Sequence, residues 1–274
     1  MRLTIYTIRR MLVYFILLFL AFLWIVPMYI MVITSLKTPA EISKMQYLNP
    51  PSSPRLQNYG EVMRKMAKAL FDCLFISIVS TSACVFIGAC AGYYLARFPS
   101  RATIPLTFMI MFASFLPYQM ILIPLTTFES LLRLIDTHHG LIFAYIMLNL
   151  PLATLVSMTF FLTFPRELEE AAIIDGCDPL STFLYIVLPA SKATLLSTAI
   201  LVFTSVWNEF LIALVIGGTN VKMIAPVVAE LKGCYTALWN LQMAGSVIGS
   251  IPPLILFIAM GRYFIRGLLA GAMR

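Results

Sequence analysis

The sequence predicts an all-α, polytopic membrane protein with six transmembrane helices, and three observations carry that expectation. Of its 274 residues, 61% are hydrophobic and only 11% are charged, whereas a soluble domain carries about a quarter charged residues. The mean hydropathy is +0.92. Six apolar runs, at 11–35, 70–95, 104–128, 141–164, 193–216 and 244–265, each reach the roughly twenty residues needed to cross the hydrocarbon of a bilayer.

The first run follows Arg2, Arg9 and Arg10. It is too long for a signal peptide and lacks a small-residue cleavage site, so it is expected to be retained. An even number of spans puts both termini on one side, and the arginine cluster argues that this side is the cytoplasm. The other loops add little, since ten basic residues fall inside and nine outside on this topology. Most of the outside charge lies in the long external segment 36–69. The net charge of +7 suits anionic lipid headgroups, and no aromatic-plus-basic pattern points to nucleic acid.

The second span holds Cys73, Cys84 and Cys90 and the small-residue patch Gly88-Ala89-Cys90-Ala91-Gly92, which is matched in the sixth by Gly245 and Gly249. Inside a bilayer such patches let helix backbones approach. Asp72, at the outer end of the second span, reads as an interfacial charge. Pro117 and Pro124 in the third span, Pro151 in the fourth and Pro252-Pro253 in the sixth should kink their helices, which neighbours can tolerate by re-satisfying freed carbonyls. His138 and His139 share a short external turn and read as surface or loop-capping residues. No C-x-x-C or histidine cluster completes a metal site, and reduced thiols are expected.

A translocation route needs polar groups at membrane depth, where they are rare and costly. The candidates are Tyr118 and Gln119 beside Pro117, Asn149 beside Pro151, and Ser205, Trp207, Asn208 and Glu209 in the fifth span. An aromatic face with amides and a carboxylate could hold sugar hydroxyls. Asn208 and Glu209 could equally bond to neighbouring helices or to a partner protein.

The longest acidic break lies between the fourth and fifth spans, at 165–192. Pro165 can open a helix, and Glu167, Glu169 and Glu170 favour the positive end of its dipole. Ala171 and Ala172 follow as strong helix formers. Asp175-Gly176 should stop it with a left-handed glycine, and Asp178-Pro179 should start a second helix whose Phe183, Ile186 and Val187 fall at helical spacing until Leu188-Pro189. The product is a helical hairpin with a small-residue face, suited to docking.

Glu170-Ala171-Ala172, Asp175-Gly176, Phe183, Ile186 and Leu188-Pro189 resemble, in order and spacing, the EAA loop of permease subunits of binding-protein-dependent ABC importers. The resemblance implies a MetI-like six-helix core whose hairpin fits a cleft on an ATP-hydrolysing subunit. It makes Glu170, Ala171, Ala172, Asp175, Gly176, Phe183, Leu188 and Pro189 the coupling residues. Cys177 stands where the family often has alanine. Ser35-Leu36-Lys37, Asn58-Tyr59, Asp136-Thr137, Trp207-Asn208-Glu209-Phe210 and the tail Gly267-Leu268-Leu269-Ala270-Gly271-Ala272 are similar to carbohydrate-uptake permeases of the maltose-system second-subunit type. In that group the tail reaches between the two ATPases, which would suit small, flexible residues and Arg274.

The implied partners are a second homologous permease, two ATP-binding subunits that hold ATP and Mg, an extracytoplasmic substrate-binding protein and membrane lipid. No cofactor is expected in this chain. The organisation is then a cytoplasmic N-terminus at 1–10, a permease domain at 11–265 in the cell membrane and a cytoplasmic tail at 266–274. The binding protein is expected to dock on external segments around 45–68 and 219–243. An enzyme is disfavoured, since there is no G-x-S-x-G or H-E-x-x-H and both histidines share one turn. The alternatives are a permease for a glycerol phosphate derivative, amino acid or peptide, or a stand-alone secondary transporter. The absence of internal repeats weighs against the last.

Overall fold

The structure, a computed structural model, describes residues 2–233 and 237–272. The expectation for Arg274 lies outside the described residues. Two compact units divide the chain, one formed by 1–67 with 227–250 and the other by 68–226 with 251–274.

In the first unit, α1 (Arg2–Ser35) is long and apolar, and Pro27 sits inside it without ending it. A short α2 (Pro39–Ser43) follows, opened by a capping box in which Thr38 accepts from the Glu41 N–H and Glu41 reaches back to the Thr38 N–H. Backbone N–H groups of Thr38 and Ser52 hold the Glu41 carboxyl down to about 2. Lys37 is buried, and its ammonium donates to the Gln46 carbonyl at 2.6 Å. The start of α3 (Gln57–Arg97) supplies Asn58, whose amide donates to the carbonyls of Ser35 and Lys37 at 2.8 and 3.0 Å. Asn240 donates to the Asn58 oxygen at 3.2 Å, and Ser35 shares a 2.6 Å hydrogen bond with the Tyr59 hydroxyl. These contacts give the Ser35-Leu36-Lys37 and Asn58-Tyr59 resemblances a physical content. The Asn58 amide thereby satisfies the Ser35 carbonyl, one of those that the C-terminus of α1 leaves without partners in its own helix.

In the second unit, α3 continues unbroken to Arg97. It is followed by α4 (Thr103–Phe115), a 3-10 turn at Tyr118–Ile121 and α5 (Leu122–Leu131). The third span is therefore two helices bent by 98° and not the single run 104–128. Leu116 and Pro117 are both extended, with ψ of 129° and 117°, because proline disfavours the helical conformation of the residue before it. By contrast α6 (His138–Thr163) passes straight through Pro151. It packs against α4, α10 and α11, and Ala144, Tyr145, Ala153 and Phe161 on it are fully buried.

The glycine patch on α3 meets α6. A Cβ on Gly88 would lie 2.8 Å from that of Ala153, and one on Gly92 would lie 2.7 Å from the Met158 backbone nitrogen. Only glycine permits this approach, which replaces the hydrophobic drive that helices lack inside lipid.

The hairpin comprises α7 (Arg166–Ile174), α8 (Pro179–Thr182), a π turn at Phe183–Val187 and α9 (Leu188–Ala190). A bend of 74° at Ser191 leads into α10 (Lys192–Asn208). The second hairpin helix thus runs one residue past Leu188-Pro189. The fifth span also departs from a single run 193–216, since α10 stops at Asn208 and α11 (Leu211–Ile216) restarts after Glu209-Phe210. After α12 (Ile224–Glu230), α13 (Trp239–Ala272) carries Pro252 and Pro253 inside a continuous helix. The segment read as a tail, 266–272, is the last part of that helix.

Among the described residues, four helices are long and apolar enough to cross a membrane alone, and up to six if each bent pair forms one span. No β-strand occurs among the described residues.

Candidate functional site

At the hairpin the local chemistry unfolds as the residue types dictate. The Asp178 carboxylate accepts the Ser181 N–H at 2.6 Å and caps α8 with Pro179 at its first position. The backbone and side-chain contacts with Ser181 hold its carboxyl below the usual aspartate value. Gly176 has φ +92°. The Cys177 N–H bonds the Ala172 carbonyl and the Gly176 N–H that of Ile173, each at 3.0 Å, which is the paired closure of a left-handed helix stop.

Of the expected coupling residues, Glu170, Ala171, Asp175, Gly176 and Pro189 are exposed and Leu188 is half-buried. Ala172 and Phe183 are buried. Phe183 packs on Tyr93 at 4.7 Å between ring centroids and joins Ala89, Ala96, Phe161, Phe164 and Val187 in one apolar cluster. The opposite face is open and oily, with Ile173, Leu180 and Tyr185 exposed and Ile174 85% exposed. An exposed apolar patch rimmed by polar groups suits a protein or membrane contact.

Glu169 lies in the first turn of α7, as the dipole argument expects. It is buried, and its Oε1 accepts from Arg97 Nε at 2.8 Å and from Nη2 at 2.6 Å. The Tyr93 hydroxyl donates to its Oε2 at 2.9 Å, and Arg97 also donates to the Phe164 carbonyl at 2.9 Å. No local signal separates Glu169 from its exposed neighbours Glu167 and Glu170. Its partner stands 72 residues away.

The two broken spans meet at their breaks. Glu209, at the α10–α11 break, accepts the N–H of Leu211 at 2.8 Å and of Ala213 at 3.1 Å. The Tyr145 hydroxyl donates to it at 3.4 Å, and the Tyr118 side chain, at the α4–α5 break, lies against the same carboxylate. Tyr118 and Glu209 are thus brought together, with Gln119 and Asn208 exposed beside them in sequence.

The remaining pathway candidates do not join this cluster in the same way. The Asn208 amide donates to the Thr204 carbonyl of its own helix at 3.0 Å. Asn149 is buried and does the same to Tyr145 at 2.9 Å. Trp207 is buried and stacked on Phe203 at 5.5 Å, and Ser205 is exposed. Tyr145 was not among the expected residues, and its place one helical turn before Asn149 is the signal that could have found it.

Asp72, read from the sequence as an interfacial charge, is buried within the protein. His138 Nε2 lies 3.0 Å from its Oδ1 and Lys68 Nζ 3.6 Å from its Oδ2, while Lys68 also donates to the Asn220 carbonyl. Asp136 takes a left-handed conformation, φ +59°, and accepts the backbone N–H groups of Thr219, Asn220 and Val221 at 2.9 to 3.1 Å. Desolvation pushes its carboxyl up, and the N–H groups of Asn220, Val221 and Thr219 outweigh that effect and hold it below the usual aspartate value. The adjacent Thr137 caps α6 by accepting the Gly140 N–H. No cluster of three metal-ligating side chains exists among the described residues.

Residues 85–270 match the family described as binding-protein-dependent transport system inner membrane component. The chain is 34% identical over 271 residues to the glucose import system permease protein of Saccharolobus solfataricus, covering 96% of this chain and 94% of that one. It is 31% identical to the trehalose/maltose transport system permease protein of Thermococcus litoralis, over 80% of this chain and 81% of the relative. The fold matches a chain of a bacterial ABC transporter that imports the polysaccharide alginate, with a TM-score of 0.79, 19% identity and coverage of 94% and 96%.

Proposed function

Since the chain belongs to the family of binding-protein-dependent transport system inner membrane components, we propose that it is the permease subunit through which a sugar or oligosaccharide is imported. As a permease of this family it is an integral inner membrane protein, and ATP is hydrolysed by separate subunits. The observation that carries the coupling role is the 165–192 hairpin. One face of it is exposed at Glu170, Ala171, Ile173 and Ile174, while the other is fixed to the membrane helices by Phe183, Val187 and the Arg97–Glu169 pair.

Two ATP-binding subunits, which hold ATP and Mg, close against each other and press on the exposed face. A second, homologous permease completes the translocation path. A substrate-binding protein docks outside, where Asp136 pins the 219–221 segment and Asn58 pins the end of α1. Both termini lie in the cytoplasm. Tyr118 and Glu209 contact the passing sugar through hydroxyl and carboxylate hydrogen bonds. The sugar class is supported by the named cargo of the relatives and by the aromatic and carboxylate character of the Tyr118–Glu209 break.

The test is ATP hydrolysis by the copurified complex in lipid vesicles, with its binding protein and glucose, trehalose, maltose, glycerol phosphodiesters or oligopeptides added in turn. Stimulation by one sugar class is the expected result. Stimulation by a peptide or phosphodiester alone would replace the cargo, and the absence of any copurifying ATPase would overturn the permease reading.

A further inference from the structure

We infer that Arg97 and Glu169 form the joint through which displacement of the hairpin is delivered to α3, and by α3 to the outer side of the permease. The inference rests on the coupling role proposed above and assigns it a route. Glu169 and Glu170 are neighbours on α7, one buried against Arg97 and the other exposed. A force on the exposed face of α7 therefore reaches Glu169 within the same helical turn. Arg97 is the last residue of α3 and holds Glu169 through Nε and Nη2, two donor nitrogens fixed in one plane, a geometry the single nitrogen of an ammonium does not supply. Tyr93, one turn earlier on α3, grips the other carboxylate oxygen.

A buried ion pair contributes little net stability over a well-packed apolar pair, and its best-attested use is to fix register. Here it fixes the register of α7 on α3. The covalent route from the hairpin into α10 is different, since it passes through the π turn at Phe183–Val187 and the 74° bend at Ser191. That route has the form of a hinge, while the ion pair has the form of a strut.

From Arg97, α3 runs without a break to Asp72, a distance of roughly 37 Å at 1.5 Å per residue. There Asp72 holds His138, the first residue of α6, and Lys68, which binds the Asn220 carbonyl. Polar contacts thus clamp both ends of one rod.

The experiment uses the complete complex in lipid nanodiscs and compares backbone hydrogen exchange with ADP and after trapping with MgATP and vanadate. In the wild type, trapping alters exchange in the hairpin and in the outer part of α3 around 68–80. Arg97→Gln is expected to keep the hairpin response and to reduce the outer response about tenfold, with basal ATP hydrolysis within about twofold of wild type. Arg97→Lys should restore part of the outer response, and Tyr93→Phe should weaken it by a smaller factor than Arg97→Gln. A purely structural role would instead lower assembly and basal hydrolysis together, and leave the outer response per assembled complex intact.

An unchanged outer response in Arg97→Gln overturns the inference, as does a wild type whose hairpin responds while the outer end does not. If Arg97→Gln fails to assemble, a full outer response in both Arg97→Lys and Tyr93→Phe overturns it. Loss of the ATPase from the wild-type complex would instead sink the permease reading itself.

Discussion

The Glu209 carboxylate accepts the backbone N–H of Leu211 at 2.8 Å, so the acid in the fifth span restarts a helix. The α10 ladder ends at Asn208 with no proline to stop it. Glu209 takes an extended ψ of 129°, and its side chain supplies an acceptor that the first N–H groups of α11 would otherwise lack. Replacing Glu209 by alanine should cost about 1–2 kcal/mol, the range for a lost helix cap. Thermal unfolding of the detergent-solubilised complex reads that loss. If Glu209 also contacts cargo, Glu209→Gln raises the KM for sugar uptake while leaving the unfolding temperature nearly unchanged.

Gly176 separates two effects at the hairpin. Its φ of +92° has open space around the missing Cβ, so Gly176→Ala meets no clash and carries only the backbone strain of about 1 kcal/mol. It should assemble with transport reduced. Gly176→Pro cannot adopt that φ and also removes the N–H that bonds Ile173. ATP hydrolysis and uptake measured on one preparation should come apart in this variant, and full uptake with normal assembly would refute the coupling role.

The Asn58 amide serves two carbonyls and receives Asn240. Asn58→Ala leaves the Ser35 and Lys37 carbonyls buried without this donor, at a cost of about 1–3 kcal/mol. Limited proteolysis should then cut the 38–56 segment faster than in wild type, while Asn58→Asp, which keeps only acceptors, should be no better than alanine.

The Asp136 clasp on 219–221 depends on a charged carboxylate. Its folded value lies below the ordinary 3.8. The contribution is therefore complete above the unfolded value and is lost as pH falls through the lower folded one. Protection of the Thr219, Asn220 and Val221 amides, taken as exchange relative to the intrinsic rate at each pH, should fall only once the pH drops below that ordinary value. Asp136→Asn should show lower protection at neutral pH, with no further loss on acidification.

How much was legible in the sequence varies residue by residue. Asp178-Pro179 and Asp175-Gly176 read correctly because a cap or a stop is a contract between residues two to five positions apart. The Gly88–Gly92 patch read correctly as a packing face because small residues have few other uses in a membrane helix. The break at Pro117 was legible as a kink, though not its 98° angle, which depends on what the second half packs against. The break at Glu209 was hidden, since an acidic residue in an apolar run does not announce a cap. The burial of Glu169 and Asp72 and the place of Tyr145 were not legible, because burial of a polar side chain depends on a partner far along the chain.

The sequence by itself determined the class of this protein. Hydropathy counts residues against a fixed bilayer thickness, and helix caps and stops act within a turn, so composition and short spacing suffice for the four unbroken spans and for the caps of the hairpin. Only the tertiary structure decided which of three glutamates faces Arg97, which breaks meet at Tyr118 and Glu209, and what Asn58 and Asp136 hold. Those outcomes turn on satisfying buried charges and carbonyls across distances of tens of residues. A linear sequence names the donors and acceptors, and packing chooses the pairs.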